Sequence, residues 1–285
     1  MHVNPQQLVK TSFPQLRDEV RDVLALAAEY GINWKNTRFD RYFRAIETAA
    51  EQEYPRLLTT EGNHDAQKLF WEAASQTQQL INSSTFWASQ DQAVITRKLA
   101  DIVKGRDLPP AGAEADHPRN TLVELTSAAL LYRHYFDVQL SSDSEDVLAT
   151  IDGTEPFAVE CKRPATRGGL ENNLKAARKE LRRRCANGGK QGLAVIVADR
   201  VLQVTGAMPT VQTVDQLVTI VDRKLEHLAR DITEMVQCHG LKLFPVTKLG
   251  AIVLVGTVFV GDLGMPFTPP ILTRTGSISP SWSKA

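Results

Sequence analysis

Hydrophobic positions in the first hundred residues recur at the three- and four-residue spacing of helices. Leu16, Val20, Val23, Leu24 and Ala27 form one stripe, and Gly31 ends it. A second helix is expected over Phe39 to Glu53, with Tyr42, Phe43, Ile46, Ala49 and Ala50 inward and Pro55 just beyond. Ala66 to Leu80 and Asp91 to Val103 carry the same period. No strand pattern interrupts residues 1–105, so this part is expected to be an all-α domain, with Trp34, Trp71 and Trp87 in its core. Residues 106–118 are rich in Pro, Gly and small side chains and make the natural linker.

After position 118 the pattern changes, and a domain of the α/β class is expected over 119–285. Thr121 to Tyr135 reads as a helix with Leu122, Leu125, Ala129 and Tyr132 on one stripe. Two strands then bracket the turn dipeptide Asp152-Gly153. Leu170 to Arg184 is helical, with Leu170, Leu174, Ala177 and Leu181 inward. Leu193 to Ala198 is a continuous apolar run, as a strand covered on both faces should be. Val214 to Gln237 reads as another helix and Ala251 to Val260 as another buried strand. The tail from Met265, with Pro266, Pro269, Pro270 and Pro280, is expected to run irregularly over the surface.

Composition narrows the class. The 285 residues are 42% hydrophobic, ample for a core, and exclude a collagenous or disordered chain. Cys161, Cys185 and Cys238 form no CxxC pair, so a zinc ribbon or thioredoxin-type site is not expected. Neither a secretory signal nor an apolar run long enough for a bilayer is present, which makes the expected location cytoplasmic. His64, His117, His134, His227 and His239 show no metal-binding spacing, and no phosphate-cradling GxxxxGK[ST] loop or nucleophile elbow occurs.

The formal net charge is zero, from 33 basic and 33 acidic residues, but the signs are segregated. Seven acidic residues and no Lys or Arg lie between Asp137 and Glu160; ten basic and two acidic residues, Glu171 and Glu180, lie between Lys162 and Lys190. Carboxylates that can hold a divalent cation therefore precede cations that can hold a phosphate backbone. Lys175, Arg178, Lys179, Arg182 and Arg183 flank or oppose the inward stripe of their helix, and Arg163 and Arg167 lie just before it. They read as a phosphate-binding surface or as a solvated face.

Within Phe157 to Lys162, alternation sends Phe157, Val159 and Cys161 toward the core and Ala158, Glu160 and Lys162 the other way. With the hairpin centred near Gly153, Asp146 falls opposite Glu160, so two carboxylates face each other across strands with Lys162 alongside. A slip of one residue would substitute Glu145, and Asp143 is a further candidate. Glu124 fits either a capping box with Thr121 or a role at this site. Asp152 is most simply a turn residue; the alternative for Glu160 with Lys162 is a plain ion pair, against which their context favours catalysis.

The constellation Asp146…Glu160-Cys161-Lys162 resembles the signature of the PD-(D/E)xK, or restriction endonuclease-like, nuclease superfamily. The likeness spans roughly residues 119 to 200 and leaves 1–105 untouched. It implies a mixed sheet flanked by helices, preceded here by an all-α N-terminal domain. It implies further that Asp146 and Glu160 hold Mg2+ or Mn2+, that Lys162 is the catalytic lysine and that Glu124 is an auxiliary acidic residue. The substrate would be DNA, with RNA left open. The sequence departs from the pattern at Glu180, where several branches carry Gln, and at Glu145, where Pro is usual. A homodimer, or a protein partner bound through the helical domain, is the other partnership expected. The competing readings are a non-catalytic nucleic-acid-binding or assembly module, and a helical interaction protein with an incidental acidic hairpin.

Overall fold

The computed structural model describes residues 3–4, 13–51, 64–109, 116–133, 137–140, 147–150, 156–186, 191–198, 201, 210–211, 214–238, 249–259, 261–262 and 271–278. It divides into two compact units. One comprises residues 10–133 with 262–269; the other comprises 1–9, 134–261 and 270–285.

The described core of the first unit is helical: α1 (Phe13–Glu29), α2 (Arg38–Glu51), α3 (His64–Ser84), α4 (Gln92–Ile102) and α5 (His117–Arg133). The expected α1 stripe is buried residue for residue, joined by Phe13. Gly31, at φ 78°, closes α1 as a left-handed stop, and Ile32 N–H reaches back to Ala27 O at 3.1 Å. Asp91 caps α4 by accepting from the backbone N–H groups of Ala93 and Val94. Trp87 is fully buried, whereas Trp34 is only half-buried. The Trp71 side chain lies outside the described residues.

The domain boundary differs from the sequence expectation. Residues 119–133 belong with the helices, and the division falls between Arg133 and His134. Polar contacts explain why. Arg119, 1% exposed, donates to Glu72 at 2.6 Å, to Asp116 at 2.8 Å, to Tyr42 Oη at 2.9 Å and to the carbonyls of Arg106 and Asp107. The expected linker is thus partly built into the unit; Gly105, at φ 106°, packs so closely on Pro118 that a Cβ would meet that ring at 3.1 Å. Residues 110–115 lie outside the described residues. Helix α5 starts at His117, earlier than expected, because Pro118 suits a first helical turn. Thr121 is then interior, bonding back to His117 O, and cannot form the capping box with Glu124. Tyr132, expected inward, is 41% exposed.

The second unit holds a seven-stranded mixed sheet in the order β1-β9-β7-β5-β4-β3-β2. Its strands are β1 (Val3–Asn4), β2 (Asp137–Leu140), β3 (Val147–Thr150), β4 (Phe157–Lys162), β5 (Gln191–Val197), β7 (Leu249–Phe259) and β9 (Ile271–Ile278). Two-residue strands β6 (Thr210–Val211) and β8 (Gly261–Asp262) pair separately. Helix α6 (Leu170–Ala186) carries the chain from β4 to β5, which run parallel, and α7 (Val214–Cys238) precedes β7. The fold is therefore a mixed sheet with helices, as expected in class.

Three corrections follow. Residues 3–4 are a strand antiparallel to β9, not part of the helical domain. Asp137–Leu140 is a strand that the sequence reading did not assign. The C-terminal tail contains β9, antiparallel to β7 over Ile271–Ile278, where it was expected to be irregular. Its prolines lie on either side of the run Ile271 to Ile278 and do not interrupt the ladder.

Candidate functional site

Strand β4 is central, antiparallel to β3 and parallel to β5. The β3–β4 ladder sets Val147 against Val159, Leu148 against Ala158 and Ala149 against Phe157, each pair equidistant from position 153. That is the register the sequence pattern called for. Asp146, Glu145, Asp143 and Asp152 lie outside the described residues.

Burial along β4 departs from a clean inside-outside alternation. Ala158, Val159 and Glu160 are all buried, at 0%, 0% and 4% exposure, whereas Phe157 and Cys161 are half-buried. The cause is position: the strand has neighbours on both edges, and α6 packs against it. Across the parallel ladder, Glu160 sits beside Ala194 and Lys162 beside Ile196. A carboxylate this deep needs cationic or hydrogen-bonding partners.

Two cations hold it. Lys162 Nζ, on the same strand two residues on, donates to Glu160 Oε1. Arg184 Nη1, from the last turn of α6, stands 2.9 Å from Glu160 Oε2. This second contact is a charge contact only. Nη1 donates a hydrogen to Val159 O at 3.4 Å, and Oε2 has no aligned hydrogen-bond donor among the described residues. Lys162 is 24% exposed, against 5% for the side chains of Glu160 and Arg184. The lysine is thus the member of the trio that reaches solvent.

Arg184 is the residue that sequence reasoning missed, and a signal for it existed. Leu170, Leu174, Ala177 and Leu181 are all buried on α6, as expected, and Arg184 continues their four-three-four spacing by three. An arginine on an otherwise apolar stripe is a buried arginine, and it requires an anion on the surface it meets. Each buried leucine of that stripe contributes about 1.5–3 kcal/mol, which anchors the helix and so delivers Arg184 to the strand.

The remaining basic residues divide. Arg167 is committed to Asp231 of α7 at 2.5 Å, Lys175 to Glu171 at 2.6 Å and Arg183 to Glu180 at 3.0 Å. Arg163 is half-buried, and Arg178 is half-buried with its Nε enclosed and lacking a hydrogen-bond partner. Lys179 and Arg182, three apart on α6, are exposed. Glu124 belongs to the helical unit, where Lys98 Nζ lies 3.0 Å from its Oε2.

Among the described residues no three His, Cys, Asp or Glu side chains converge on one point. Glu160 brings a single buried carboxylate with a cation beside each oxygen, Lys162 at Oε1 and Arg184 at Oε2. Among the described residues no helix is long and apolar enough to cross a membrane. Comparison with known protein families, with curated proteins and with solved structures gives no match to this chain.

Proposed function

We propose that the sheet unit is a metal-dependent nuclease that hydrolyses phosphodiester bonds, DNA first among its substrates, on a restriction endonuclease-like fold. The observation that carries this reading is the pairing of buried Glu160 with solvent-reaching Lys162 on one face of central strand β4. The order of elements supports it: an antiparallel run β2–β3–β4, then basic helix α6, then parallel strand β5.

In this reading Glu160 and Asp146 would hold Mg2+ or Mn2+, which supplies a water of lowered pKa and neutralises phosphate charge when bound. Glu160 also fixes the Lys162 ammonium through Oε1, and Lys162 presents its charge where non-bridging phosphate oxygens become more negative. Hydrolysis forms a bond from water oxygen to phosphorus and breaks the ester P–O bond. The ester oxygen leaves with that electron pair and takes up a proton. Lys179 and Arg182, the exposed cations of α6, suit the phosphate backbone flanking the scissile bond.

The test is incubation of the chain with plasmid and linear DNA in Mg2+ or Mn2+. Lys162→Ala is expected to lower cleavage by on the order of 10²-fold or more. Equal cleavage by wild type and variant sinks the reading. The alternative, a non-catalytic nucleic-acid-binding module, draws on a different observation: Glu160 already has a cation at each oxygen, as a structural ion pair does. DNA binding without cleavage in either metal would favour it.

A further inference from the structure

The side chains around Glu160 carry more positive charge than its carboxylate balances. Glu160 and Arg184 are each 5% exposed, and Arg184 Nη1 stands 2.9 Å from Oε2. One cation is enough to neutralise a carboxylate so enclosed. Lys162 nevertheless donates to Oε1 while remaining 24% exposed, so a second cation reaches solvent from the same carboxylate. Two cations and one carboxylate leave a surplus positive charge, and it sits on the member that solvent can touch. The adjoining strand brings no carboxylate to this face: Ala194 and Ile196 stand beside Glu160 and Lys162 on the parallel ladder.

We propose that Glu160 and Arg184 form a self-neutralised mount for Lys162, and that its ammonium takes an anionic phosphate oxygen directly, with no metal ion between them. This rests on the phosphodiester ligand that both readings above share. Without Arg184, the buried carboxylate would cancel Lys162 and the face would be neutral. With Arg184 in place, the ammonium keeps a net charge that attracts an anion. The bond to Oε1 also restricts a long, flexible side chain in advance, which lowers the entropy lost when a ligand binds. A lysine suits the task as a compact point charge with three donors, of which Glu160 occupies one. Arg184 is a positioning residue in this scheme. It is enclosed beside the leucine stripe of α6 and touches the carboxylate, not the ligand.

The experiment is fluorescence anisotropy of a labelled mixed-sequence DNA oligonucleotide with the full chain in EDTA, over a salt series. Wild type is expected to bind without metal. Lys162→Ala should bind about tenfold more weakly, the loss of one charge-assisted hydrogen bond, with a salt slope lower by about one. This variant leaves the buried pair intact, so its fold, checked by circular dichroism, is retained. Arg184→Gln should show the same fall in slope, because Glu160 then cancels Lys162. Adding Glu160→Gln to Arg184→Gln should restore the slope, because the ammonium is again uncancelled; a merely structural arginine would give no such recovery. An unchanged slope in Lys162→Ala or in Arg184→Gln overturns the proposal. Wild-type binding that appears only with Mg2+ or Mn2+ also overturns it, while leaving the metal-dependent reading standing. No DNA binding in EDTA or in either metal overturns both.

Discussion

Arg184 on α6 and Glu160 on β4 are 24 positions apart in the chain, and their side chains meet 2.9 Å apart, both almost wholly enclosed. The pair joins the basic helix to the central strand at the point where Lys162 reaches solvent. It turns two locally defined elements into one charged site.

Glu160→Ala should therefore destabilise the sheet unit by about 3–5 kcal/mol, because it leaves Arg184 enclosed without its anion. The double variant Glu160→Ala with Arg184→Met should recover part of that loss. Urea unfolding of the single and double variants gives the coupling energy, and strict additivity would mean that the two side chains do not interact.

Glu124→Gln should act on the helical unit alone. Its partner Lys98 is a lysine of 11% exposure, and losing a half-buried charge-assisted contact costs about 1.5–3 kcal/mol. Thermal unfolding should shift down while Mn2+ affinity stays at the wild-type value. A fall in Mn2+ affinity would place Glu124 at the metal site after all.

Tyr42 gives a pH signature. Burial pushes its hydroxyl up to about 12 against the opposing pull of Arg119. The unfolded phenol ionises near pH 10, so between there and about 12 the folded state holds a proton that the unfolded state has lost. Stability from this group is fully present below pH 10 and falls as pH rises through 12, by on the order of 3 kcal/mol. Denaturant midpoints across that window should decline for wild type with a slope that Tyr42→Phe lacks. Tyrosinate absorbance should show one late-titrating phenol in wild type, missing in the variant.

On the nucleic-acid side, Lys179→Ala with Arg182→Ala should weaken DNA binding evenly across sequences and reduce the salt slope of affinity by about two. Arg167→Ala should leave that slope unchanged, because its guanidinium is held by Asp231. Fluorescence anisotropy over a salt series separates the two cases. A larger slope change for Arg167 would reverse their roles.

Local periodicity by itself determined where α1, α4, α6 and α7 lie, because an apolar stripe of period 3.6 needs no knowledge of what it packs against. It also suggested the β3–β4 register, but a slip of one residue was equally compatible with the local pattern, and the observed ladder of Val147 with Val159 decided it. The candidate site was half legible for the same reason: Glu160 and Lys162 share a face through strand alternation alone. Tertiary structure alone decided what that face meets. The sequence could not tell whether the side of β4 carrying Glu160 lies open or under a helix, and that choice buries the carboxylate and sets Arg184 against it. The same holds for α5, whose stripe is visible in sequence but whose partners, Glu72 and Lys98, come from distant helices and draw it into the helical unit. Strand β9 followed the same logic. Its prolines mark its edges, and its pairing with β7 depends on a neighbour that no local pattern names. Periodicity is a property of consecutive residues, whereas charge pairing and sheet membership depend on which surfaces come together.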